Sequence, residues 1–77
     1  MESMPFLHAN QVFTLFFLED LAFSEVRAIL DHLLGRNAFD PIVQEHRDEY
    51  RIEVEHASFV VWVSEMDVVI RRTGSSL

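Results

Sequence analysis

The sequence predicts an α+β domain in which one amphipathic helix packs on a small, mainly antiparallel sheet, in the order β-α-(turn)-β-β-β. Three observations predict it. Residues 26–34 repeat apolar side chains at the helical period. From Tyr50 onward the period changes to two. The chain has only 77 residues and no cysteine, so a single core must hold it without disulfides or thiolate metal ligands. The expected organisation is one domain over residues 1–77. Its core covers about 11–72, with a lead-in over 1–9 and a flexible tail over 73–77.

Pro5 and Asn10 act as breakers in the lead-in. Val12 to Leu18 follows, β-branched and aromatic, and apolar on both alternating faces. That pattern predicts a strand covered on two sides. A helix over residues 11–20 is the competing reading, because Phe13, Phe16, Phe17 and Leu21 also recur at helical spacing.

The helix is the clearest element. Ser24 is the expected N-cap and Glu25 suits the first turn, with an earlier start capped by Asp20 as the alternative. Val26, Ile29, Leu30, Leu33 and Leu34 then form one apolar stripe. Gly35 closes the helix as the residue after the cap. Residues 37–49 are a polar connector, and Asp40-Pro41 predicts a short helical turn.

Tyr50, Ile52 and Val54 point one way, and Arg51, Glu53 and Glu55 the other. His56-Ala57-Ser58 is a turn, and Phe59 to Val63 is a strand apolar on both faces. Ser64-Glu65-Met66-Asp67 reads as a four-residue hairpin loop before the last strand, Val68 to Arg72. These three strands form a meander.

Charge is the most informative functional feature. The net charge is −7, from 13 acids and 6 bases. Between Asp40 and Asp67 there are eight acids and two bases, leaving −6, while residues 1–39 carry −3 and residues 68–77 carry +2. A balance this negative disfavours direct binding to nucleic acid or to an anionic membrane, and favours a basic protein surface as partner. The candidate partner-binding residues are Glu45, Asp48, Glu49, Glu53, Glu55, Glu65 and Asp67. Glu49, Glu53 and Glu55 share a strand face with Arg51. Residues two apart on a strand stand about 6.6 Å apart, similar to the step between phosphates on one nucleic-acid strand. Such a row fits a basic, nucleic-acid-binding channel. The plainer reading is a charged solvent face that keeps an edge strand from aggregating.

Apolar excess is the second feature. One helix covers one sheet face, yet two strands are apolar on both. Phe13, Phe17 and Trp62 are therefore the candidate apolar interface, and a homodimer is the expected assembly. A sheet that curls on itself, or a lead-in that folds Phe6 and Leu7 over the second face, would remove that excess.

Other chemistries find little support. His8, His32, His46 and His56 show no zinc-type spacing, so no metal and no cofactor are expected. There is no Gly-x-Ser-x-Gly, no cysteine nucleophile and no phosphate-binding loop, and the chain reads as a binding protein without catalytic residues. Ser75-Ser76-Leu77 matches a PDZ-type C-terminal ligand, a match short tails make by chance. Arg71-Arg72 are expected to pair with acids of a neighbouring strand. Met1-Glu2-Ser3-Met4 lacks the basic start of a signal peptide, and Val12 to Leu18 is too short to span a bilayer. The expectation is a soluble, cytoplasmic protein.

At the level of class, a short, cysteine-free, strongly acidic α+β chain resembles the small phage-encoded inhibitors of bacterial defence, including anti-CRISPR proteins. The residues that carry the likeness are the seven acids named above. It implies a nucleic-acid mimic that inhibits a partner by presenting carboxylates to a basic channel. The apolar excess departs from a pure charge mimic. The alternative reading is an immunity protein, antitoxin or secretion chaperone that works as a dimer through an apolar sheet face.

Overall fold

The computed structural model describes residues 2–40, 49–54 and 56–75. The elements are β1 (Glu2–His8), β2 (Gln11–Phe17), α1 (Phe23–Gly35), β3 (Glu49–Val54), β4 (Ala57–Ser64) and β5 (Asp67–Ser75). They build one helix and a five-stranded sheet of order β1-β2-β5-β4-β3. The α+β class and single helix are as expected. Two strands, not one, precede the helix. The sheet is mixed, because β2 pairs β5 in parallel while the other neighbours run antiparallel.

The expected lead-in is the edge strand β1. It enters the sheet because its alternation matches that of β2: Met4, Phe6 and His8 lie opposite Leu15, Phe13 and Gln11. Ala9 and Asn10 turn the chain with φ of 51° and 65°. Two successive left-handed residues in a two-residue loop make a type I′ turn, whose twist suits the flanking strands. The competing helix over 11–20 is excluded by this pairing. The expected tail is shorter too, since β5 runs through Ser75.

The helix begins at Phe23, so neither Ser24 nor Asp20 caps it. Ala22 is the N-cap and has no side-chain acceptor. Glu25 compensates by accepting a hydrogen bond from the Ala22 N–H at 2.9 Å, the reciprocal half of a capping box. At the other end Gly35 is still helical. Asn37 takes the left-handed position, with φ 56°. The Ala38 N–H bonds to Leu33 O and the Asn37 N–H to Leu34 O, the two closures of a Schellman motif. The motif turns the chain so that Ala38 and Phe39 enter the core, with Phe39 4.9 Å from Phe13 and 5.3 Å from Phe6 between ring centroids.

One face of the sheet carries this core. Phe13, Leu15 and Phe17 from β2 meet Val68 and Ile70 from β5, Phe59, Val61 and Val63 from β4, and Tyr50 and Ile52 from β3. Val26, Ile29 and Leu33 of α1 close over them. Burying about fifteen such side chains supplies the main driving force for folding. Phe13 and Phe17, expected at an interface, are 0% and 8% exposed and belong to this core. The β4–β5 connection is shorter than expected, because Ser64 pairs Asp67 and only Glu65 and Met66 form the loop. Asp40-Pro41 extends beyond the described residues.

Candidate functional site: the open sheet face and its acidic edge

Strand parity fixes what the second sheet face presents. β2 contributes Val12, Thr14 and Phe16, and β5 contributes Asp67, Val69 and Arg71. β4 contributes Val60, Trp62 and Ser64, and β3 contributes Glu49, Arg51 and Glu53. Cross-strand partners place Phe16, Val69, Trp62 and Glu49 in one row across four strands. Phe16, Val69 and Trp62 are half-buried, and Val60 beside Trp62 on β4 is 6% exposed. Beside them Leu7 and Val12 form a cross-strand pair that is 68% and 58% exposed. No element among the described residues covers this face.

Of the expected apolar interface residues, only Trp62 therefore lies on an open surface. The apolar surface on β2 is Phe16, whose parity is opposite to that of Phe13 and Phe17. The sequence holds both sets, and a strand that is apolar on both faces gives no local signal of which one turns inward.

The acids separate into groups. Glu49 and Glu53 stand on β3 with Arg51 between them, as expected. Arg51 Nη2 pairs with Glu49 Oε2 at 3.4 Å. Glu49 Oε1 also accepts a hydrogen bond from Trp62 Nε1 at 3.3 Å. Described β3 thus alternates in charge, and the ladder of one carboxylate every 6.6 Å is interrupted at its centre. Glu65 projects from the β4–β5 turn, and Asp67 lies on the open face. Glu53, Glu65 and Asp67 are exposed and form no ion pair among the described residues. Glu45, Asp48 and Glu55 lie outside the described residues, as do His46, Ser76 and Leu77.

Two arginines serve the fold. Arg72 was expected to pair across a strand, but it reaches the helix instead. Its Nη2 contacts both carboxylate oxygens of Glu25 at 2.9 Å, and its backbone N–H donates to Glu19 Oε1 at 2.6 Å. Its guanidinium also lies over the Phe59 ring, 5.6 Å from the centroid. Arg36 Nη1 donates to the backbone oxygen of Arg51 at 3.2 Å.

Both sheet edges are blunted. In a two-residue hairpin the pair flanking the turn is hydrogen-bonded, and bonding alternates from there. Counting from His8 and Gln11 puts Pro5 and Thr14 in a non-bonded pair, so the Pro5 nitrogen faces outward and offers no donor. Thr14 agrees, since its N–H turns the other way, to Met66 O at 2.8 Å. At the opposite edge, the outward Arg51 carbonyl is occupied by Arg36. These are the devices by which exposed edges avoid adding strands.

Among the described residues, no group of three or more His, Asp or Glu is placed to hold a metal ion. No described helix is long and apolar enough to cross a membrane. Comparison with protein-family models, with curated proteins and with solved structures finds no match for this chain.

Proposed function

We propose that this chain is a small acidic binding protein that occupies and blocks a basic surface on a partner, of the kind a nucleic-acid-binding protein presents. The observation that supports it best is the state of the charges. Glu53 and Glu65 stand exposed and unpaired among the described residues, while Arg72 and Arg36 are turned to internal contacts. The two glutamates add unpaired negative charge to a chain in which 13 acids stand against 6 bases. Arg51 within the β3 row argues for a mixed protein–protein contact more than for a regular imitation of phosphates. Carboxylates of this kind steer a basic partner and make association fast and salt-sensitive.

The test is affinity capture on the immobilised chain at low ionic strength, followed by titration of the purified partner. The expected partner is basic, elutes as salt rises, loses its nucleic acid when the chain binds, and binds Glu53→Arg/Glu65→Arg at least about tenfold more weakly. A partner that resists salt and ignores the reversals overturns the proposal. A second reading, the masking of a toxin or effector by an immunity protein, antitoxin or secretion chaperone, is favoured by the uncovered Phe16–Val69–Trp62 row. It predicts loss of binding on substitution of that row and indifference to salt.

A further inference from the structure

We infer that the open sheet face docks an amphipathic helix of a partner protein, one that carries an arginine at the middle of an apolar stripe, and that Asp67 receives that arginine. The inference concerns the open face and not the Glu53 and Glu65 edge, so either can fail alone.

The first argument is charge complementarity. Cross-strand registers order the face in rows. On one side of the Phe16–Val69–Trp62 row lie Arg71, Val60 and Arg51. On the other side lie Thr14, Asp67 and Ser64, and beyond them the exposed pair Leu7 and Val12. Asp67 is exposed, forms no ion pair among the described residues, and has a short hydroxyl side chain on each neighbouring strand. Larger apolar side chains stand before and behind it. A carboxylate so placed is the complement of a cation rising from an apolar surface. The two arginines of the opposite row repel a cation and confine it to the Asp67 side. Trp62 stands diagonal to Asp67, within the roughly 7–8 Å that long side chains bridge. Its indole N–H is held by Glu49 at 3.3 Å. A guanidinium stacks on an aromatic face and forks to a carboxylate, so it suits both neighbours better than an ammonium does.

The second argument is length. From the Leu7–Val12 pair to Trp62 the path runs about 12 Å across the strands and about 13 Å along them, a diagonal of roughly 18 Å. Asp67 lies near its midpoint. A helix covers this distance in about twelve residues, or about three turns. Apolar residues at both ends of one helical face and a cation between them therefore match the order on the sheet.

The third argument is the state of the edges. Pro5 and the Arg36–Arg51 contact close both edges to strand addition. A partner segment must lie on the face instead, where the sheet offers it no backbone hydrogen bonds. A helix satisfies its own backbone and presents one apolar stripe.

The experiment is titration of the full chain with synthetic three-turn helical peptides, read by Trp62 fluorescence, with circular dichroism to verify that each variant is folded. One peptide has a leucine stripe with a single arginine at its middle, and the other has glutamate in that place. The wild type is expected to bind the arginine peptide saturably, and the glutamate peptide at least about tenfold more weakly. Asp67→Arg is expected to reverse that preference. Leu7→Ser/Val12→Ser, at the far end of the diagonal from Trp62, is expected to weaken the arginine peptide at least about fivefold. Glu53→Gln/Glu65→Gln is expected to bind it within about threefold of the wild type, which separates this face from the acidic edge. Absence of saturable binding, a preference that Asp67→Arg does not reverse, or loss of binding in Glu53→Gln/Glu65→Gln but not in Leu7→Ser/Val12→Ser overturns the inference. Sedimentation equilibrium on the same samples tests the rival occupant, and a dimer of the chain that the arginine peptide does not dissociate also overturns it.

Discussion

Arg72 Nη2 lies 2.9 Å from both carboxylate oxygens of Glu25, joining β5 to the first turn of α1. The same carboxylate accepts the Ala22 N–H. One side chain thus satisfies the Ala22 N–H at the helix start and fixes the helix against β5. Both side chains are partly exposed, 24% for Glu25 and 35% for Arg72, which moderates the strength of the pair. Glu25→Ala is expected to lower unfolding free energy by about 1–2 kcal/mol in urea titrations, from the lost cap and the lost bridge together. Glu25→Gln retains the cap and should lose about half as much.

Phe13 and Phe16 stand three residues apart on one strand and should respond oppositely. Phe13 is fully buried against Phe39, and Phe13→Ala is expected to cost about 3–5 kcal/mol, most of the stability of a domain this size. Phe16→Ser is expected to change the stability of the single protomer by less than about 1 kcal/mol. Urea titrations of the two variants beside the wild type check the difference.

The helix was legible because its stripe is set by local period, and Val26, Ile29 and Leu33 are buried as their spacing requires. The β3–β4–β5 meander was legible for the same reason at period two. Other features depended on distant contacts. Pro5 read as a breaker, yet an outward edge position tolerates proline, and the alternation of Met4, Phe6 and His8 was the signal for β1. Gly35 and Asn37 both accept a helix-ending conformation. The choice fell to Asn37 because Ala38 and Phe39 then reach the core. The parallel pairing of β2 with β5 joins residues about fifty apart, and no local pattern records it. For the site, the grouping of Glu49, Arg51 and Glu53 followed from parity alone. The exchange of Phe13 and Phe17 for Phe16 required knowing which face α1 covers.

Pro5 removes the donor that the β1 edge would otherwise offer. Pro5→Thr restores that donor beside an exposed row containing Leu7 and Val12. The variant is expected to fold and then to form larger, concentration-dependent aggregates, visible by light scattering and thioflavin binding, while the wild type remains clear.

Trp62 is the only tryptophan in the chain, and its indole N–H donates to Glu49 on the β3 rim beside Glu53. Its fluorescence, titrated with the purified basic partner at several salt concentrations, tests most directly whether the acidic edge holds that partner. The expected result is a saturable change in emission whose midpoint rises with salt, and rises at least about tenfold in Glu53→Arg/Glu65→Arg. A midpoint independent of salt and unchanged in the double reversal would contradict it.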